Sequence, residues 1–167
     1  MRERRKKIKE NTEITVMNNT NGNLVLKQGS STMPMQFNRP GEIQYFSYDE
    51  FRIIVNTNPS LFQDLSLVIV DIYHEEEDYT LNDILTSLRM DKIYEDGIDW
   101  ETIQDDLLTM SSDEYDSFIA SLSTPARKKV IQKTIGIIRS KQRDKSYYER
   151  GIEKYYGDLA LEGIEEY

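Results

Sequence analysis

At 167 residues, the chain has the length of one domain or of two small domains that share a core. The charged fraction of 31% is high and the hydrophobic fraction of 38% is low, which favours a protein with much exposed surface or one whose charges contact partners. The sequence holds no cysteine, which excludes a disulfide framework, a thiolate zinc site and a cysteine nucleophile. Its longest apolar runs are too short to cross a bilayer, so we expect a soluble protein without a membrane partner.

The net charge of −9 at pH 7 conceals an alternation of basic and acidic blocks along the chain. Residues 1–10 are basic, residues 64–116 hold 17 carboxylates against two cations, and residues 127–145 hold eight cations against one aspartate. Blocks of this kind neutralise one another within a chain, between subunits or against outside partners. The sequence leaves these three alternatives open.

The first twelve residues predict a basic N-terminal arm, because they are rich in Arg and Lys and show no apolar periodicity. The cations of this arm are candidate partner-binding residues: Arg2, Arg4, Arg5, Lys6 and Lys7.

A β-rich module is predicted over residues 13–79. It begins with the segment ITVMNNTNGNLVL, in which alternating apolar residues lie on both sides of a cluster of Asn and Gly. Asn and Gly tolerate the positive φ angles that tight turns require. The segment therefore predicts a β-hairpin whose two strands pair across NNTNGN.

Further along this module, the stretches MQF and EIQYF predict two short strands separated by the turn RPG. Ser47 and Glu50 have the spacing of a capping box, which predicts a short helix that ends before NTNPS. The segment LSLVIVDIY, residues 65–73, is apolar and rich in β-branched residues. It is predicted to be a central strand of the sheet.

A helical module is predicted over residues 80–167, where the apolar period changes from two to about 3.6. Thr80 and the capping box that begins at Ser111 mark two helix starts. Thr124 is the predicted cap of a third helix, with proline at its first position, and a last helix is expected near 145–156. The predicted fold class is α+β: a β-rich N-terminal half, formed by an antiparallel sheet with a short helix, followed by an all-helical C-terminal half.

Two helices of this module carry further candidate partner-binding residues. The helix that Thr124 caps has two lysines and an arginine nearly opposite its isoleucine stripe, and we expect these cations to be exposed. The last helix aligns two tyrosines before Gly157, the expected end of that helix. Tyrosines in this pattern belong either to a core or to an assembly contact. The candidate residues are Lys129, Lys133, Arg143, Tyr148 and Tyr155.

The run HEEED, residues 74–78, holds the only histidine beside four carboxylates and is the one candidate for a metal or acid–base site. Successive residues cannot all converge on one ion, and a transition metal would need ligands from elsewhere without a second His or any Cys. We therefore favour a solvated acidic loop, with a weak Mg²⁺ or Ca²⁺ site left open.

Searches for catalytic motifs find no Gly-rich phosphate loop, no nucleophile elbow and no dinucleotide fingerprint. We therefore expect a protein that is not an enzyme, with no catalytic residue, no metal site and no cofactor.

The basic blocks have two interpretations. They could hold phosphates, with neighbouring tyrosines available to stack on bases. Alternatively, they pair with the acidic block of the same or a neighbouring subunit. The negative net charge and the lack of a DNA-reading module favour the second interpretation.

Several segments of the chain form a wider pattern. They are V-x-N-N-T-N-G-x-L-V, F-x-x-x-G-E, NPSLF, LVIVDIY and, near the end, the basic stretch ARKKVIQKTIGIIRSK. This pattern resembles a group of small structural proteins of tailed bacteriophages. The resemblance covers residues 13–73 fairly well and residues 99–157 loosely, and the basic arm and the Tyr-rich end depart from it.

The resemblance implies a virion or assembly component rather than a catalyst. Its expected partners are other virion proteins and copies of itself, with nucleic acid as a further candidate. Its expected location is the virion, and the host cytoplasm during assembly. The alternative hypothesis is a regulatory protein that binds nucleic acid through the arm and the 127–145 helix.

Overall fold

The computed structural model describes residues 5–27 and 35–156, and this part of the chain has the predicted α+β fold class. Antiparallel strands dominate the N-terminal half and helices dominate the C-terminal half, as the sequence predicts. The chain divides into two compact units, Met1–Ile98 and Asp99–Tyr167. The change of apolar period predicts a boundary between modules at residue 80, whereas residues 80–98 belong to the first unit because the helix that follows Thr80 packs on the sheet.

The first unit alternates short strands with short helices. Its described elements are β1 (Glu13–Asn18), β2 (Leu24–Leu26), β3 (Met35–Phe37), β4 (Ile43–Ser47), α1 (Tyr48–Thr57), α2 (Pro59–Gln63), β5 (Leu67–Tyr73), α3 (Leu81–Ser87) and a 3₁₀ helix (Asp91–Tyr94). The strands form an antiparallel three-stranded sheet in the order β4-β1-β5 and a separate antiparallel pair of β2 with β3.

The predicted hairpin between β1 and β2 is wrong. β1 pairs with β4 on one side and with β5 on the other, and β2 pairs with β3. Residues 18–23 are all described, and none of them has the positive φ that a two-residue hairpin turn of the Asn-Gly type requires. The chain therefore leaves β1 through a wider loop.

Buried asparagines hold this loop. The Asn18 side chain donates to the carbonyl oxygens of Gly22 at 2.7 Å and Arg39 at 2.9 Å. The Asn19 side chain donates to the carbonyl of Leu65 at 3.0 Å. Because Arg39 and Leu65 precede β4 and β5 in the chain, these asparagines fix the end of β1 against the segments that lead into both of its partner strands.

The prediction that β5 is a central strand is also wrong, since β1 occupies the centre and β5 lies at an edge. A continuous apolar run predicts a strand buried on both faces, and residues 67–69 of β5 are indeed buried. Burial of both faces does not require a partner strand on both edges. Farther along, Asp71 and Tyr73 are exposed, which the run of apolar letters did not indicate.

The inner face of the sheet packs against helices in one core cluster, which includes Ile14, Val16, Phe46, Phe51, Ile54, Phe62, Leu67, Ile69 and Ile84. The predicted capping box of α1 is confirmed, with the Ser47 side chain accepting from Glu50 N–H and the Glu50 side chain accepting in return. α1 runs two residues past its predicted end. Thr80 caps α3 through a second capping box, with Asp83 as its partner. These caps satisfy backbone donors that the first turn of a helix leaves free.

The described part of the predicted arm is not detached from the unit. Ile8 is only 5% exposed and joins the core cluster, and Thr12 is buried. The backbone N–H of Lys9 donates to the Tyr79 hydroxyl at 3.3 Å. Arg2 and Arg4 lie outside the described residues.

The second unit is helical in its described part. It contains α4 (Ile103–Thr109), α5 (Ser112–Ser121), α6 (Thr124–Arg139), a 3₁₀ helix (Lys145–Tyr147) and α7 (Glu149–Tyr156). The predicted capping box at Ser111 is confirmed. α6 begins one residue earlier than expected, so Ser123 is its N-cap and Thr124 is its first residue. Gly157, the predicted end of the last helix, lies outside the described residues.

Two buried tyrosines form the centre of this unit. The rings of Tyr115 and Tyr148 meet edge to face with centroids 4.9 Å apart, and the Tyr115 hydroxyl donates to Thr134 at 3.1 Å. Gly151 on α7 sits so close to α5 that an added Cβ would lie 2.8 Å from a carbon of Ile119. A side chain at position 151 would require the side chains of Asp116, Ile119 and Tyr115 on α5 to shift.

Substitution of two glycines tests the corrected path of the chain after β1. Gly41 has a φ of +74°, whereas Gly22 has no positive φ and no atom within 4 Å of an added Cβ. We expect Gly41→Ala to lower the free energy of unfolding by about 1–2 kcal/mol, because left-handed backbone strains a residue that carries Cβ. We expect Gly22→Ala to change it by less than about 0.5 kcal/mol.

Urea denaturation of both variants and the unsubstituted chain measures these differences. If Gly22→Ala lowered the free energy of unfolding as much as Gly41→Ala, the wide loop would be contradicted and a tight hairpin turn at Gly22 would be supported.

Candidate protein-interaction surface

The basic residues before β1 contact acidic residues of the same unit. Lys9 Nζ lies 3.0 Å from a carboxylate oxygen of Glu76 and 3.0 Å from one of Glu77. Lys6 Nζ lies 3.0 Å from Asp83 in the first turn of α3. Of the three ways in which the charge blocks could be neutralised, these contacts show pairing within the chain for this part of the basic block.

The ion pairs hold both partners in their charged forms. Hydrogen bonds from Lys9 lower the pKa of Glu76, and the reciprocal contacts raise the pKa of Lys9. The backbone N–H of Thr80, followed by the contact with Lys6, lowers the pKa of Asp83. Apart from Asp83, whose side chain is 16% exposed, these groups lie in solvent, which screens their attraction, so the ion pairs add little stability. Their main effect is to remove free positive charge from the surface.

His74 organises the acidic loop between β5 and α3. Its Nδ1 accepts hydrogen bonds from the backbone N–H groups of Glu76 at 3.1 Å and Glu77 at 3.2 Å, and its Nε2 lies 3.0 Å from Asn11 Oδ1. Both ring nitrogens are therefore engaged with the protein. Within residues 5–27 and 35–156, no group of three or more His, Asp or Glu side chains is placed to hold a metal ion.

The predicted exposed stripe on α6 is wrong for Lys129, which is only 5% exposed. The buried residues of α6 are Ala126, Lys129, Val130, Ile131, Thr134, Ile137 and Ile138. At 3.6 residues per turn they cover an arc of about 200°, wider than the single stripe that the isoleucines indicated. Lys129 Nζ donates to Gln132 at 3.1 Å.

Lys133 is half-buried within the same arc. Removal from water and the nearby charge of Lys129 lower its pKa to about 8. A lysine in this environment is a poor candidate for a phosphate contact on the surface, because its ammonium is shielded from solvent.

Arg143 lies beyond the end of α6 and donates from Nη1 to the carbonyl oxygens of Leu107 at 3.1 Å and Met110 at 2.5 Å. It thereby satisfies backbone acceptors at the C-terminus of α4, which helix geometry leaves without partners. Its guanidinium also lies 3.7 Å from the ring centroid of Tyr147. The contacts indicate a structural role for Arg143 in the second unit.

The two candidate tyrosines also serve the second unit. Tyr148 is fully buried and its hydroxyl donates to the carbonyl of Leu107 at 2.7 Å. Tyr155 is half-buried, with the Arg127 guanidinium 4.2 Å from its ring centroid. Among the described candidates, only Arg5 and Lys7 present exposed side chains outside the ion pairs and cation–aromatic contacts described above.

A surface that the sequence analysis missed lies on the outer face of the three-stranded sheet. Ile43 and Tyr45 of β4 are 37% and 64% exposed, and Tyr73 of β5 is 59% exposed. Tyr45 pairs with Thr15, and Tyr73 pairs with Glu13. Thr15 and Glu13 are two residues apart on β1, so their side chains and those of their partners lie on the same face of the sheet. We call Ile43, Tyr45 and Tyr73 the aromatic face.

The sequence contained a signal for the aromatic face. In EIQYF, Ile43 and Tyr45 share one parity and Phe46 has the other, so both sides of the strand carry apolar residues. Phe46 fills the core, and the remaining two residues are left in solvent. Exposed tyrosines clustered with aliphatic residues are typical of protein interfaces.

Comparison with models of known protein families, with curated proteins and with solved structures finds no match to this chain. Within the described residues, no helix has the length and apolar character needed to span a membrane.

Paired arginine substitutions distinguish a structural role from a surface role for Arg143. We expect Arg143→Gln to lower the free energy of unfolding by about 2–3 kcal/mol, because two backbone carbonyls lose a charged donor. Arg139→Gln is the matched control, since Arg139 is exposed at the end of α6, and its effect should stay below about 1 kcal/mol.

Chemical denaturation followed by circular dichroism measures both values. If Arg143→Gln were as stable as Arg139→Gln, the structural role of Arg143 would be contradicted and Arg143 would again be a candidate for partner binding.

Proposed function

We propose that this chain is a non-enzymatic structural or assembly protein of a tailed bacteriophage, which contacts other virion proteins and copies of itself. The observation that carries the protein-contact role is the aromatic face, where three large apolar side chains stand in solvent on one side of a sheet. Large apolar side chains exposed on one face of a sheet are typical of interaction sites. Tyrosine suits such a contact, since its ring buries apolar area while its hydroxyl finds a polar partner.

The phage context rests on the sequence pattern described above. Four of the five segments that carry it belong to the first unit: β1 with its loop, the turn before β4, α2 and β5. The fifth, the basic stretch, lies largely in α6 of the second unit. The resemblance thus involves the same sheet that presents the aromatic face, which supports a shared assembly role for this unit.

The distribution of charge supports protein contacts over nucleic-acid contacts. Lys6 and Lys9 are paired with carboxylates of their own unit, Lys129 is buried, and Arg143 is bound to backbone carbonyls. A nucleic-acid surface would need several such cations free to meet phosphates.

Exposed cations favour the nucleic-acid alternative, and within residues 127–145 these include Lys128, Arg139 and Lys141. Arg5 and Lys7 are exposed next to Arg2 and Arg4, which lie outside the described residues. This hypothesis expects binding that weakens steeply with salt, because each phosphate contact releases counterions.

The copy number of the chain in purified particles tests the proposal. Quantitative mass spectrometry of gradient-purified phage should find several copies per particle, since subunits of a symmetric ring or shell recur. A non-structural protein from the same infection is the control and should be near background.

Absence of the chain from particles, despite its synthesis in infected cells, would contradict the proposal. Salt-sensitive retention of the chain on DNA in that case would support the regulatory alternative.

A further inference from the structure

The two edges of the three-stranded sheet differ in how they are covered. At the β5 edge, the backbone N–H of Ile69 donates to the Tyr94 hydroxyl at 2.9 Å, and burial raises the pKa of that hydroxyl well above its usual range, so it stays protonated. Tyr94 thus occupies part of the edge where another strand would pair. β4 forms the opposite edge and pairs with β1 alone among the described strands.

The direction of the backbone groups along β4 follows from the ladder. The bonds that flank β4 run from Tyr48 N–H to Thr12 and from Asn18 N–H to Glu42, in the same register as the strand pairing. In an antiparallel ladder the direction alternates from residue to residue. Even-numbered residues of β4 therefore bond to β1, and Ile43 and Tyr45 direct their N–H and C=O groups to the outer edge.

The side chains along this edge do not protect it. β4 reads IQYFS, with no charged residue and no proline, although exposed edge strands usually carry Lys, Pro or a bulge that blocks pairing. Ile43 and Tyr45, the two residues with outward backbone groups, also belong to the exposed aromatic face. The edge thus combines free hydrogen-bonding groups with apolar side chains, the combination that an added β-strand recognises.

We infer that β4 pairs antiparallel with β4 of a second copy of this chain, across a two-fold axis that passes beside Gln44. In this register, Ile43 of each copy lies opposite Tyr45 of the other, and the outward groups of both residues form four backbone hydrogen bonds. Glu42 lies opposite Phe46 of the second copy, so no like charges meet directly. The two sheets join into a six-stranded sheet.

The neighbouring two-fold registers are less favourable. An axis beside Tyr45 would place Ile43 opposite Ser47, whose N–H already donates to the Glu50 carboxylate at 3.1 Å. An axis beside Ile43 would place Tyr45 opposite Gly41, whose N–H donates to Asn18 at 2.9 Å. Of these three registers, the axis beside Gln44 is the one in which no paired outward residue already uses its N–H within its own chain.

Self-association of this kind also follows from the symmetry of the contact. A two-fold interface brings one surface patch against itself, so a strand with two equivalent outward residues is complementary to its own copy. A contact of one short strand is small, so we expect a weak dimer at high concentration. Several such contacts in an assembly would reinforce one another.

Sedimentation velocity over about two decades of protein concentration tests the inference. The unsubstituted chain should shift from monomer toward dimer as its concentration rises. Tyr45→Lys should stay monomeric at every concentration, because a lysine on an edge strand opposes pairing. Tyr73→Lys is the matched control: it has the same change and similar exposure at the opposite edge, and it should dimerise like the unsubstituted chain.

A cysteine placed on the proposed axis gives a second readout. The chain has no native cysteine, so Gln44→Cys introduces a single thiol. Residues at a non-hydrogen-bonded antiparallel pair have a Cα separation within the range that a disulfide spans. Mild oxidation should therefore yield a covalent dimer of Gln44→Cys and much less of Tyr73→Cys.

A chain that remains monomeric at the highest concentration and forms no Gln44→Cys dimer would overturn the inference. Equal dimerisation of the two lysine variants would also overturn it, since the contact would then lie elsewhere. The inference rests on the edge geometry and not on the proposed function, so either result leaves the particle copy number as a separate test.

Discussion

The pairing of β1 with two strands is the constraint on which the first unit depends. β4 and β5 are far apart in the chain, and β1 joins them into one sheet whose inner face carries the core. Asn18 and Asn19 fix the end of β1 through hydrogen bonds to segments that precede both partners. β1 pairs with one edge of β4 and no other described strand pairs with the second edge, and the aromatic face is exposed on the same sheet.

The contacts of the charged side chains determine which groups remain exposed on the surface. Basic residues near the N-terminus contact the acidic loop after β5. In the second unit, Arg143 contacts backbone carbonyls and Lys129 lies buried, whereas Lys128, Arg139 and Lys141 are exposed. Surface ion pairs of this kind add little stability, but they leave fewer cations to meet an outside polyanion. We favour protein contacts because the aromatic face adds large exposed apolar side chains to this surface, and such side chains are typical of protein interfaces.

Local features were predictable from the sequence and non-local ones were not. The capping boxes at Ser47 and Ser111 depend on residues three positions apart, so the sequence alone identifies them. The partner of β1 depends on carbonyls of distant residues, and the Asn-Gly turn signal pointed to the wrong strand. The burial of Lys129 depends on how much of the α6 surface neighbouring helices cover. The single isoleucine stripe in the sequence indicates a narrower buried face than the structure has. The open edge could be recognised only after the partner of β4 was known.

The most direct test of the account is amide hydrogen exchange along β4 in a dilute sample. Because successive residues of β4 direct their backbone groups to opposite edges, protection from exchange should alternate along the strand. The amides of Gln44 and Phe46, which bond to β1, should be protected, whereas those of Ile43 and Tyr45 should exchange rapidly. Rapid exchange at all four positions would contradict the pairing of β4 with β1. Protection at Ile43 and Tyr45 in dilute solution would contradict the open edge, since another part of the chain would already cover it.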